Sequence, residues 1–181
     1  AKALPGEGDE TAVALARGSL IHRLLEELAP LPADQRAARG AGLIAGTDDG
    51  AACLVESLAV LDAPALAPIL GAEALVEVAL SGEWCGRTMW GVIDRLIVAS
   101  DSVLAIDFKS NRVVPAGPSD VPEGLLRQMG AYSHLLGAIY PGRRIETALL
   151  WTAGAVLMPL DPEATAAALR RAALDPDAVA S

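Results

Sequence analysis

The chain has 181 residues, a 52% apolar fraction and a formal net charge of −9, which suits one folded domain with a real core and excludes a disordered protein. So acidic a balance argues against capture of nucleic acid by the overall field, and any DNA must be held for it by something else. No run of eighteen uncharged apolar residues and no basic-then-apolar leader occurs, so the reading is no membrane and a cytoplasmic location.

Residues 11–29 place Leu20, Ile21, Leu24, Leu25 and Leu28 at helical spacing, with Gly18 and His22 one turn apart on a common stripe. Between 32 and 70, Gly and Pro punctuate what reads as two short helices and a third helical turn. The period then changes. Residues 73–80, 88–98 and 102–108 read as strands, separated by "SGEWCGR" and "ASDS". A three-proline loop over 111–122 leads into a helix over 123–140, which "PGRR" ends. Residues 145–152 and 155–160 read as a hairpin through Ala153 and Gly154, and 162–174 as a closing helix. Cys53 and Cys85 are too few for a four-thiolate cluster, so no iron–sulfur cluster is expected, and both are read as reduced and packed. The methionines are Met89, Met129 and Met158 and the chain opens on Ala1. It is therefore expected to be a piece of something longer.

The strands 88–98 and 102–108 raise a register question, because the first carries Asp94 and the second Asp107 followed by Phe108 and Lys109. A hairpin turn centred between Ser100 and Asp101 makes the indices of opposed residues sum to 201. Asp94 then lies across from Asp107, Leu96 from Ala105 and Val98 from Val103. Opposed Cβ atoms in an antiparallel pair are about 4.5–5.5 Å apart, close enough for two carboxylates to share a divalent cation. Strand alternation puts Lys109 on the same face and sends Ile93, Ile97, Leu104, Ile106 and Phe108 to the other. Two carboxylates so placed need neutralising, and all-oxygen ligation selects hard cations such as Mg²⁺ or Mn²⁺. The plainer alternative pairs Asp94 with Arg95 or Arg112, and Asp107 with Lys109, in a solvated ribbon.

Four short motifs follow in order: "GSLIH" (Gly18 to His22), "GVID" (Gly91 to Asp94), "DFK" (Asp107 to Lys109) and "QMGAY" (Gln128 to Tyr132). In that order, on helix, strand, strand and helix, they resemble the G-x-x-x-H, G-x-x-D, D-x-K and Q-x-x-x-Y motifs of PD-(D/E)XK nucleases of the RecB type. With "AIYPG" and "ALLWT" further on, the chain is most similar to the C-terminal nuclease domain of the AddA subunit of bacterial AddAB helicase–nucleases, over about residues 11–160 of a single domain spanning 1–181. The resemblance implies an α/β, restriction-endonuclease-like core with a mixed central sheet flanked by helices. It implies a Mg²⁺- or Mn²⁺-dependent DNA exonuclease or endonuclease that processes double-strand breaks for recombinational repair. Its partners would be DNA, helicase domains of the same chain and an AddB-like subunit.

Carried over residue by residue, the resemblance makes Asp94, Asp107 and Lys109 catalytic. Asp94, Asp107, the carbonyl of Phe108 and the imidazole of His22 would hold the metal, and Lys109 would orient or help deprotonate the attacking water. Gln128 and Tyr132 would line the DNA path, and Arg112 would contact phosphate. By itself, a helix histidine such as His22 is more often packed than ligating. Gln128 and Tyr132 serve equally as a polar rim over a core helix. Glu77 faces away from Val76 and Val78 and is a candidate auxiliary acid, His134 reads as a surface or packing residue, and Trp84, Trp90 and Trp151 read as core or sheet-edge residues. A different class of function stays open: a catalytically silent nuclease-fold module that guides DNA or docks a subunit. Such a module would be expected to lack an acid or the lysine, and this chain has all of them.

Overall fold

A computed structural model of the chain describes residues 8–174, with side chains over 12–173. Lys2 and the rest of the opening stretch lie outside the described residues. In chain order the elements are α1 (Gly8–Leu28), α2 (Ala33–Leu43), α3 (Gly50–Asp62), a 3₁₀ turn (Pro64–Leu66) running into α4 (Ala67–Leu70), β1 (Leu75–Trp84), β2 (Arg87–Val98), β3 (Ser102–Lys109), α5 (Glu123–Ile139), β4 (Arg144–Trp151), β5 (Val156–Pro159) and α6 (Pro162–Leu174). The strands form one mixed five-stranded sheet in the order β1-β2-β3-β4-β5. Only β3 and β4 pair in parallel, and the chain between them runs through α5, the kind of long crossover that a parallel pair requires.

The turn "WCGR" is tighter than the sequence reading allowed. Cys85 and Gly86 both take positive φ, 49° and 72°, so a two-residue turn joins Trp84 to Arg87 and β1 extends four residues past 80. A consequence is that Cys85 is exposed and not packed, whereas Cys53 is buried. Of the tryptophans, Trp151 is buried at 1% exposure but Trp90 stands out at 77%, on the uncovered side of β2.

Helices cover both sides of the sheet. On one side Ile21, Leu24, Leu25 and Leu28 of α1 and Cys53 and Val60 of α3 pack on Ile106, Phe108, Ala148 and Leu150. On the other, Met129, Tyr132, Leu135 and Leu136 of α5 pack on Leu96, Val103, Ala105 and Leu149. The expectation of one apolar and one charged face is therefore corrected. Both faces are core over β3 and β4, while β2 leaves Trp90 and Val92 exposed, and Asp107 and Lys109 sit where the buried run ends on β3.

The expected register holds for Arg95↔Ile106, Leu96↔Ala105, Ile97↔Leu104 and Val98↔Val103. It does not continue to Asp94 and Asp107. Instead the Asp94 carboxylate itself accepts the Phe108 N–H, with Oδ2 at 2.6 Å, so a side chain takes the place of a ladder carbonyl. On the other side of β2, pairing with β1 skips from Val76↔Arg95 to Val78↔Ile93, and Glu77 sits between them with φ 48°. The alternation of β2 slips here. Ile93 packs with α5, not with Ile106 and Phe108 as strict alternation predicts.

Candidate active site

The slip at Asp94 decides what the site looks like. Asp94 turns toward α1, where its Oδ1 lies 3.3 Å from His22 Nδ1. Asp107 turns toward α5, where its Oδ1 accepts a bond from Gln128 Nε2 at 3.3 Å. The two carboxylates thus turn toward opposite sides of the sheet, and the expectation that they face each other on one side is corrected: they flank the backbone of Phe108 just past Arg95↔Ile106, where the pairing of β2 with β3 stops. Between them lies the Phe108 peptide, its N–H held by Asp94 and its carbonyl 3.3 Å from His22 Nε2.

Lys109 completes the group. Its Nζ is 2.5 Å from Asp107 Oδ2 and donates to Gln128 Oε1 at 3.1 Å. Gln128 Nε2 also lies 3.0 Å from the Tyr132 hydroxyl, which donates to the Val92 carbonyl at 2.9 Å. Two of the motif glycines make room for these contacts. A Cβ on Gly91 would stand 2.6 Å from the Tyr132 ring, and one on Gly18 would meet Ser110 Oγ at 3.0 Å. Neither glycine needs its freedom of φ; each is needed for close approach.

Electrostatics follow from burial. Desolvation pushes the Asp107 carboxyl above the ordinary range, the Lys109 ammonium pulls the other way, and Asp94 adds like charge. The bond that His22 donates to Asp94 does most to raise the pKa of its imidazole, burial opposes the rise, and Asp107 and the Phe108 carbonyl add to it. Tyr132 is pushed up to about 12, chiefly by burial and next by Asp107.

The remaining sequence candidates fall outside this cluster. Arg112 is exposed and pairs with Asp49 at 2.8 Å, not with Asp94. Arg95 is 4% exposed, donates to the backbone carbonyl of Asp94 and lies over the Phe108 ring at 5.4 Å, so the ion pair with the Asp94 side chain expected of the plainer reading does not form. The Asp107–Lys109 pair of that reading does form. Glu77 is exposed opposite Asp94, and its left-handed backbone marks the slip. His134 is at the surface as expected. Sequence reasoning missed three polar residues behind the Lys109 peptide. Arg17 donates to the Ser110 carbonyl and pairs with Glu56, and Glu56 accepts from Thr152 Oγ1 at 2.5 Å. Arg17 adjoins the first motif, but nothing local marks Glu56 or Thr152.

A family model described as the PD-(D/E)XK nuclease superfamily matches residues 2–181. The chain belongs to that superfamily. This PD-(D/E)XK domain is also similar in fold to the crystal structure of a protein from Eubacterium rectale provisionally named an exonuclease, with a TM-score of 0.59 and 13% identity over 97% of this chain and 68% of that one. No curated protein matches. PD-(D/E)XK nucleases generally use divalent metals, and the donor chemistry here fits one. Both ring nitrogens of His22 face oxygen acceptors, Asp94 Oδ1 and Phe108 O, and only an imidazolium can donate to both at once. A neutral imidazole, the form that ligates metals, leaves one of these oxygens without a donor, and a hard cation would meet carboxylate, carbonyl and imidazole ligands there. Among the described residues, however, no three His, Cys, Asp or Glu side chains stand together closely enough to hold an ion as placed, because Asp94 is turned onto Phe108 and Asp107 onto Lys109 and Gln128.

Proposed function

We propose that this domain hydrolyses DNA phosphodiester bonds, with Asp94, Asp107, the Phe108 carbonyl and His22 holding Mg²⁺ or Mn²⁺. The observation that carries the reading is the convergence of two carboxylates, an imidazole, a backbone carbonyl and an amine on three consecutive residues, Asp107 to Lys109. When bound, the cation would polarise the scissile phosphate and lower the pKa of the attacking water. Lys109 supplies a fixed positive charge where negative charge grows on the phosphate, and one such preorganised group is typically worth about 10²- to 10³-fold in rate. Gln128 fixes that amine by accepting from Lys109 while its amide N–H₂ serves Asp107. Tyr132, only 5% exposed, offers little surface to DNA and acts here by holding Gln128 against β2. Arg112, with its guanidinium exposed, remains placed to meet a backbone phosphate.

The domain's wider setting belongs to the same proposal. A net charge of −9 favours delivery of the strand by other parts of the protein, which is consistent with an AddA-type helicase–nuclease that works with helicase domains of its own chain and an AddB-like subunit in the cytoplasm, processing double-strand breaks. The test uses end-labelled single-stranded DNA with Mn²⁺ or Mg²⁺, beside Asp107→Ala. Metal-dependent cleavage by the wild type alone supports the reading. Metal and DNA binding without cleavage, in the full chain with its partners, overturns it in favour of a silent guiding module.

A further inference from the structure

Three groups behind the Lys109 peptide have no role in the chemistry above. Arg17 of α1 and Glu56 of α3 form an ion pair with side chains only 11% and 15% exposed. Such a pair is costly to desolvate and is better explained by what it fixes than by what it adds to stability. The other arm of Arg17 donates to the Ser110 carbonyl. The other oxygen of Glu56 takes the Thr152 hydroxyl at 2.5 Å, and Thr152 Oγ1 is in turn 3.3 Å from the Lys109 carbonyl. Thr152, immediately after β4, is 1% exposed. Its hydroxyl carries one proton, which the nearer carboxylate claims.

The contacts bracket one peptide. From α1, His22 reaches the carbonyl of Phe108 and Arg17 reaches that of Ser110, while Thr152 stands against the carbonyl between them. Pairing with β2 stops at Ile106, pairing with β4 reaches Lys109 opposite Trp151, and beyond Lys109 the backbone has no strand partner to hold it. We infer that Glu56 is a positioning residue for Lys109: by anchoring Arg17 and Thr152 it fixes the peptide from which the amine reaches Asp107 and Gln128. The inference rests on the reading of Lys109 as the amine of the cleavage site, but the coupling itself can be measured without cleavage.

Lys2 and Lys109 are the chain's only lysines, so ¹⁵N-lysine labelling of a Lys2→Arg protein gives one side-chain signal. Glu56→Gln keeps the shape and the acceptor for Thr152 but removes the charge that holds Arg17. In that variant the Lys109 Nζ signal is expected to shift toward its position in the urea-unfolded protein, and kcat to fall about 10- to 100-fold with KM within about twofold, the pattern of a displaced catalytic group. Thr152→Val, nearly the same size, is expected to shift the signal in the same direction. It decides the matter should Glu56→Gln fail to fold. A folded variant whose Lys109 signal stays at the wild-type position, with only thermal stability lowered, would make Glu56 a packing residue and overturn the inference. A wild type that cleaves no DNA with either cation would end the nuclease reading and leave the shift to decide the positioning claim.

Discussion

Lys109 lies between two acceptors, Asp107 Oδ2 and Gln128 Oε1, and its removal should separate charge from ligation. Lys109→Ala is expected to lose about 10²- to 10³-fold in single-turnover cleavage while binding Mn²⁺ at least as tightly as the wild type, since a neighbouring positive charge is gone. Manganese titration by electron paramagnetic resonance checks the second half. Asp107→Ala should lose cation and cleavage together. Lys109→Arg keeps the charge but not the compact amine, so near-normal cleavage in it would reduce the role of Lys109 to charge alone. Tyr132 makes a prediction in pH. Its folded pKa, about 12 against about 10 for an ordinary tyrosine, favours the neutral phenol in the fold. That contribution is complete below pH 10 and is lost as pH rises from 10 through about 12, and two pKa units correspond to about 2.7 kcal/mol. Tyr132→Phe cannot ionise, but it forgoes the bonds to Val92 and Gln128, so it should be the less stable protein at pH 8, and its deficit should narrow by pH 11.5. Urea midpoints along a pH series measure this.

At the scale of elements, the site depends on how closely α5 sits on β2 and α6. Gly130 of α5 faces α6 so tightly that an added Cβ would stand 2.3 Å from the Thr165 carbonyl oxygen and 3.1 Å from Leu169 Cβ. A backbone carbonyl cannot rotate away, so Gly130→Ala is expected to cost at least about 1–3 kcal/mol and, because α5 carries Gln128, to lower cleavage as well. Gly137, on the same helix with nothing within 4 Å of its would-be Cβ, is the control. Gly137→Ala should raise stability by about 0.5–1 kcal/mol through helix propensity and the unfolded chain. Thermal unfolding of the two variants side by side should give shifts of opposite sign. Positive φ at Glu77 and the broken pairing beside it belong to this scale too. They let β2 change face at Asp94 with no residue inserted, since the register with β1 is the same on either side.

For the whole molecule the governing quantity is charge. With −9 overall, only a local group such as Lys109 and Arg112 can meet phosphates, and these two already pair with Asp107 and Asp49. The isolated domain should therefore bind single-stranded DNA weakly, and its affinity should fall steeply as salt rises from 50 to 200 mM, by counterion release. Fluorescence anisotropy at several salt concentrations tests this, and tight, salt-insensitive binding would contradict it.

The sequence by itself determined the order and kind of the elements, because helical and strand periods follow from which residues must face a core. It also determined most of one register, since the turn at Ser100–Asp101 fixes the pairing of Arg95 to Val98 with Val103 to Ile106. Gly18 was legible as sharing a helix stripe with His22, and Asp94, Asp107 and Lys109 were legible as one candidate group. Only the tertiary structure decided how that group is arranged. The slip at Asp94 arises because the Asp94 carboxylate competes with the backbone for the Phe108 N–H and because Glu77 takes a left-handed backbone, and neither event leaves a periodic trace. The burial of Tyr132 depends on α5 meeting Gly91 across 41 positions of chain. The Arg17, Glu56 and Thr152 assembly joins three distant segments behind one peptide. Local patterns record which way a side chain faces; they do not record which distant partner waits there.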